Sequence, residues 1–306
     1  FRPWPPCTPK HPRLSLQMLA IARAMAALCA SIGGVLMRLS AAAEKLSASE
    51  WRLGTARVLR FMKQVIACGR MLRLFWHICV GMAIVLLRFP RWSPEQRQMR
   101  VQVWAQALLR ILGVSLRIVG NPPAQGPVLL VANHISWLDI PVLHATRHCR
   151  FVSKSDVQSW PLLGTLASAA GTLYLERSSR RDARRMVHQL QQALQRHEVL
   201  ALFPEGTTGD GRTLRPFYPN LLQAAIDCDA PVQPLGLRFA DKASGCISFA
   251  PSYTGDETLL ASLWRTLCAP PIEAVVHFGT PQHAQGRDRR VWSRDLEQAV
   301  DRLRQG

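Results

Sequence analysis

The sequence predicts an α/β fold: a mixed, largely parallel sheet flanked by helices, preceded by an N-terminal membrane-associated helical pair. Three observations predict it. From residue 128 onward, short apolar runs alternate with longer segments of helical periodicity, as strands and crossover helices do. Ahead of them lies a long apolar stretch, Leu72 to Phe89, bracketed by arginines. Finally, polar clusters recur where the apolar runs end, which is where open α/β sheets gather their ligands.

Taken in order, the first ten residues hold four prolines and suit no regular element. Leu16 to Met37 is apolar and Ala-rich but is broken by Arg23, Gly33 and Gly34, and no cleavage site follows it. Residues 1 to 70 are therefore read as a poorly defined extension, with Met62 and Met71 as possible natural starts. Residues 71 to 120 are read as membrane-docking helices. Leu74 to Leu87 offers fourteen apolar positions with His77 as the lone acidic or basic side chain, short of the ~20 needed to span a bilayer. An interfacial or re-entrant helix fits better, with Arg70, Arg73, Arg88 and Arg91 around it and Trp76 and Trp92 near its ends. After Pro90 and Pro94, residues 95 to 117 read as a second helix, because Val101, Trp104, Leu108 and Leu112 recur at helical spacing.

The α/β domain is placed at 121 to 285, followed by a C-terminal helix within 286 to 306. Strands are expected at 128–132, 150–153, 172–176, 199–203, 232–239, 246–250 and 273–278. Helices are expected at 137–147, 161–169, 180–196, 219–227, 257–268 and 291–304.

Composition narrows the partners. Lys and Arg outnumber Asp and Glu by 38 to 20, a formal charge of +18, which favours a polyanionic partner. No zinc-finger spacing, aromatic RNA-binding motif or basic zipper is present, so an anionic membrane surface is preferred to nucleic acid. The eight cysteines contain no CxxC pair and read as reduced core residues, as on a cytosolic face. No His and carboxylate cluster has metal-ligand spacing, so no metal is expected.

The polar clusters carry the chemistry. LLVANHISWLDIPVL (129 to 143) ends a buried strand in Asn133, His134, Ser136 and Asp139. GTLYLER (171 to 177) ends in Arg177, whose planar fork of donors suits a phosphate or carboxylate. FPEGTT (203 to 208) presents Glu205, with Gly206 after it to allow close approach to the backbone, then Thr207 and Thr208. APVQPLGL (230 to 237) begins another strand between two prolines. The glycines at 206 to 211 are not a P-loop, since the GK[ST] ending is missing.

These four blocks, in this order, resemble those of the glycerolipid acyltransferases, specifically the 1-acyl-glycerol-3-phosphate acyltransferases, over roughly residues 72 to 280. An HxxxxD pair alone arises by chance; followed by FPEGT it is specific. The resemblance implies that His134 acts as general base on an acceptor hydroxyl while Asp139 orients and balances the imidazole. Five positions on a regular helix would set the two about 140° apart, so His134 is expected in the turn before the helix. Backbone N–H groups near the helix start are expected to form the oxyanion hole. Ser136 lacks the G-x-S-x-G elbow and is not expected to be a nucleophile.

The resemblance further implies that Arg177 binds the acceptor phosphate and that Glu205, Gly206 and Thr207 line its pocket, with Arg215 and Arg212 close by. The expected reaction moves a fatty acyl group from acyl carrier protein or acyl-CoA, as co-substrate rather than cofactor, to 1-acyl-glycerol-3-phosphate. Its product would be phosphatidic acid, made at the cytoplasmic face of the inner membrane. One departure stands out. Many relatives have a lysine after the phenylalanine that follows the third block, whereas here Phe217 is followed by Tyr218. A lyso-ornithine lipid acceptor is thus the alternative, and a non-catalytic membrane-surface binder is the alternative of another class.

Overall fold

The computed structural model describes residues 48–175 and 180–306, so Arg177 and the Leu16 to Met37 segment lie outside the described residues. The chain divides into two units, 1–65 and 66–306, and the sheet and the candidate site below belong to the second.

Helix α1 runs from Ala48 to Leu87, starting upstream of the boundary expected at residue 71. The uninterrupted apolar run begins only at Leu74, but the helix continues through Arg73, whose side chain is exposed, and Arg70, whose guanidinium donates to the Leu267 carbonyl at 3.2 Å. The segment Phe61–Arg91 is consequently long and apolar enough to cross a membrane by length and composition. Leu72, Phe75, Trp76, Leu86 and Leu87 are exposed on α1.

Helix α2 (Pro94–Leu112) opens with a capping box, in which Ser93 and Gln96 satisfy each other's backbone N–H. It closes at Gly113, whose φ of 76° is accessible to glycine at little cost. The expected helix to residue 117 therefore stops early, and Val114–Val119 forms an unforeseen first strand, β1. Helices α1 and α2 are held by a reciprocal contact: His77 Nε2–H donates to the Trp104 carbonyl at 3.1 Å, and Trp104 Nε1–H donates to the His77 carbonyl at 3.3 Å. The two rings stack with centroids 4.8 Å apart.

The remaining elements are β2 (Val128–Ala132), α3 (Asp139–Thr146), β3 (Arg150–Lys154), α4 (Leu163–Ala169), β4 (Leu173–Leu175), α5 (Arg180–Gln195), β5 (Val199–Leu202), α6 (Gln223–Asp227), β6 (Val232–Asp241), α7 (Leu259–Cys268), β7 (Ile272–Phe278) and α8 (Arg289–Gln305). Six of the seven expected strands form. The one expected at 246–250 does not: Asp241 gathers the N–H groups of Ala243 and Ser244 into a tight turn, and the returning chain makes a single bridge, Ala240 to Ile247. The helix expected at 219–227 begins as a 3-10 turn over Pro219–Leu222.

The sheet has seven strands in the order β1-β7-β6-β2-β5-β3-β4, parallel throughout except for the β6 and β7 pair. Strand β2 is buried on both faces, as a central strand of a parallel sheet must be. Its Val128, Leu130 and Ala132 join a core with α2, α3 and α7, while Leu129 and Val131 join a second core with α5, α6 and α8. Trp292, fully buried, anchors α8 in the second layer. There Gly236 of β6 lets the α8 backbone come close: a Cβ at this position would lie 2.3 Å from Leu303 and Arg304 backbone atoms.

Candidate active site

Strand β2 ends at Ala132 and α3 begins at Asp139, so His134 occupies the turn between them, as the helical geometry required. Asp139 folds back from the first turn of α3. Its Oδ2 accepts from His134 Nδ1–H at 2.8 Å, from the Ile135 N–H at 2.6 Å and from the Ser136 N–H at 2.9 Å. The carboxylate is fully buried, and three donors on one oxygen fix both its position and that of the imidazole. With Nδ1 carrying the proton, Nε2 presents its lone pair, and it has no hydrogen-bond partner among the described residues. The His134 side chain is 18% exposed, enough for a substrate atom to reach it.

The turn is tied down on every side. Asn133 pairs with Leu237 twice, donating from Nδ2 to its carbonyl at 3.0 Å and accepting from its N–H at 2.7 Å. In this way an amide side chain continues the β2 and β6 pairing past the strand's end. The His134 N–H donates to Glu205 Oε1 at 2.7 Å, and the His134 carbonyl accepts from the Gly209 N–H at 2.7 Å. The Ile135 carbonyl accepts from the Tyr253 N–H at 3.2 Å. The imidazole also stacks on Phe203 at 4.0 Å between centroids, nearly parallel.

Glu205, expected to line the acceptor pocket, has partners within the protein. Its second oxygen accepts from the Arg215 N–H at 2.9 Å, so both carboxylate oxygens face backbone donors inside the protein. Burial pushes the Glu205 carboxyl above its usual range, and the N–H groups of His134 and Arg215 pull it back. It is a strut between the His134 turn and the 206 to 215 loop. Gly206 turns the chain with φ 69°, and Thr207 is exposed beyond it. Arg215 and Arg212 have exposed side chains on the same loop, with the Arg212 guanidinium 4.7 Å from the Phe249 ring centre.

The expectation that N–H groups at the helix start form an oxyanion hole does not survive for residues 134, 135, 136, 138 and 139. Glu205 takes the first and Asp139 the next two. Leu138 N–H donates to Ser136 Oγ at 3.1 Å and Asp139 N–H to the Ser136 carbonyl at 3.1 Å. Ser136 is likewise committed, since its buried hydroxyl donates to the Pro251 carbonyl. Trp137 and Leu138 are packing residues, Trp137 through a hydrogen bond to Ser262 Oγ at 3.2 Å and Leu138 in the core. Asn133 is noted in the sequence at the strand end without a role, and the one signal for that role is an amide set directly after a five-residue buried run.

Beside the dyad lies an apolar cavity of about 380 Å³. Trp137, Ile140 and Pro141 from the His134 turn and α3 line it, together with Leu74 and Ile78 of α1 and Trp104 of α2. His134 is set one layer back, because Phe203 stacks between it and Phe151 of the cavity wall.

A histidine paired with a buried carboxylate in a strand-to-helix turn, with its outer nitrogen free to accept a proton and Ser136 committed elsewhere, suits an acyl-transfer enzyme rather than a hydrolase with a serine nucleophile. The chain belongs to the acyltransferase family, of the kind that acylates lysolipids: the Acyltransferase family model matches residues 114–238. It is 37% identical over 204 residues to a lyso-ornithine lipid O-acyltransferase from Pseudomonas aeruginosa, covering 67% of this chain and 78% of that protein. It is 35% identical over 210 residues to a 1-acyl-sn-glycerol-3-phosphate acyltransferase from Neisseria meningitidis, covering 68% and 81% respectively. The fold is similar to the crystal structure of the 1-acyl-sn-glycerophosphate acyltransferase from Thermotoga maritima, with a TM-score of 0.53, 16% identity, and coverage of 77% of this chain and 96% of that one.

Proposed function

We propose that this acyltransferase moves a fatty acyl group from an acyl carrier protein or coenzyme A thioester to the free hydroxyl of 1-acyl-glycerol-3-phosphate, giving phosphatidic acid at the cytoplasmic face of a membrane. The observation that carries the reading is the His134 Nδ1 to Asp139 Oδ2 bond with Nε2 left open. In the proposed step Nε2 takes the acceptor proton as the hydroxyl oxygen attacks the thioester carbonyl. The C–S bond then breaks, and the imidazolium returns the proton to the leaving thiolate. Asp139 keeps the tautomer and balances the transient charge, and no acyl-enzyme forms. The apolar cavity holds an acyl chain, and Arg177 and Arg215 bind the acceptor phosphate. The mechanism calls for no metal or cofactor.

A second reading, transfer to a lyso-ornithine lipid, is favoured by the similarity to the Pseudomonas protein and by Tyr218 standing where a further cation would help bind phosphate. Purified protein given labelled acyl thioester with each acceptor separately decides between them. Turnover with lysophosphatidate, lost in His134→Ala, is the expected result. Turnover only with lyso-ornithine lipid would transfer the assignment to the second reading, and turnover with neither would leave a membrane-surface binder.

A further inference from the structure

Leu162 stands out in the backbone. It adopts φ 62°, ψ −50°, and the Leu163 N–H closes onto the Pro161 carbonyl at 2.6 Å. This is the three-residue γ-turn with positive central φ, a rare and strained form for any residue with a side chain. Glycine would relieve the strain, yet the position holds a leucine that is 48% exposed, two residues after an exposed Trp160. The turn thus holds an apolar tip, Trp160-Pro161-Leu162, out in the solvent.

The same tip belongs to the wall of the apolar cavity, which Trp160 and Leu162 line together with Ile78 and Val85 of α1 and Leu259 and Leu263 of α7. On α7, the next helical row turns outward: Leu260 is 66% and Trp264 is 38% exposed, one turn apart on one face. Aromatic rings and leucines at the edge of an apolar cavity shared with the exposed, apolar α1 are what a lipid leaflet would cover. Arg73 on α1, Arg88 and Arg91 just after its end, and Lys154 ahead of the tip are exposed, in a chain of charge +18, which complements anionic headgroups.

We propose that the Trp160 to Leu162 turn and the Leu260 and Trp264 face of α7 form a second lipid-inserting rim, which seats the cavity edge in an anionic leaflet independently of the α1 anchor. The inference rests on the reading of this chain as a membrane-associated lysolipid acyltransferase. It adds that an acyl chain passes between bilayer and cavity without crossing water.

The test uses the full chain with vesicles of phosphatidylcholine and phosphatidylglycerol carrying brominated acyl chains. The emission lost in Trp160→Phe and in Trp264→Phe should belong to the quenched, blue-shifted fraction; if it is unquenched and water-like, the rim is overturned. A Leu260→Asp, Trp264→Asp double variant should lose at least tenfold of its transfer to acceptor embedded in vesicles. It should keep the parent rate with a short-chain acceptor dispersed as monomers. An equal loss in both presentations means damage to the site and overturns the rim. If the parent transfers no acyl group in either presentation while quenching persists, the activity reading fails and the rim stands; transfer without quenching has the opposite meaning.

Discussion

Glu205 and His134 are joined through the backbone: the carboxylate Oε1 accepts the His134 N–H at 2.7 Å, while Oε2 takes the Arg215 N–H. A buried carboxylate used this way holds the backbone of His134, the proposed base, from inside the protein. In Glu205→Gln the amide NH2 must face one of the two N–H donors, costing about 1–3 kcal/mol of stability. Steady-state kinetics should then show kcat reduced roughly tenfold or more, as a displaced base implies, with the acceptor KM little changed. A raised KM at constant kcat would restore Glu205 to the acceptor pocket.

His134 and Asp139 separate by what they hold. Replacing His134 with alanine removes a partly exposed ring and should lower kcat by about 10²–10⁴ with little change in melting temperature. In Asp139→Asn the amide oxygen can keep the three hydrogen bonds that Oδ2 accepts, but the amide NH2 replaces Oδ1, which is buried with no partner among the described residues. The variant should lose comparable activity and also about 1–3 kcal/mol of stability. Equal stability losses in the two variants would contradict this division of labour.

Ser136 sits two residues from His134 but faces the Pro251 carbonyl. Ser136→Ala should cost about 1 kcal/mol yet keep kcat within about threefold, because no proton transfer passes through it. Mass spectrometry of protein quenched during turnover should find no acyl group on this residue; an acyl-serine adduct would defeat direct transfer.

The strand ends and the dyad were legible because their signals are local. Val128 to Ala132 is a continuous apolar run, and the five-residue step from His134 to Asp139 already forces the histidine off the helix. What escaped depended on distant partners. Val114 to Val119 reads as more helix until β7 supplies a parallel neighbour, and Gly113 is the small signal that ends α2. The inward turn of Glu205 was illegible for the same reason, since its acceptor role is set by a backbone N–H 71 residues away. The sequence also suggested free N–H groups at the helix start, because nothing local reveals that Asp139 and Ser136 consume them.

Gly236 illustrates a requirement imposed by packing. Both neighbours of a hypothetical Cβ are α8 backbone atoms, which cannot swing aside as a side chain could. Gly236→Ala should therefore destabilise by about 1–3 kcal/mol through overpacking, read as a lower melting temperature. An unchanged melting temperature would show that α8 shifts freely on β6.

Acid stability provides the last prediction. Burial holds the His144 imidazole down to about 3, with His148 adding repulsion, and burial holds His148 down to about 4. The folded protein keeps both rings neutral, whereas the unfolded chain protonates them near the ordinary value of 6.5. Below that value the unfolded state binds more protons, so stability falls as pH drops from about 6.5 toward about 4. Each ring contributes a slope approaching 1.4 kcal/mol per pH unit inside its window. Above pH 7 neither contributes any slope. The ring of His144 also packs edge-on against Phe151, and its Nδ1 is buried without a partner among the described residues, so an apolar replacement strands no hydrogen bond there. Chemical denaturation of the parent and His144→Leu in detergent, at pH 7.5 and pH 5, should show the variant losing less stability on acidification. Identical losses would mean that His144 becomes charged in the folded protein.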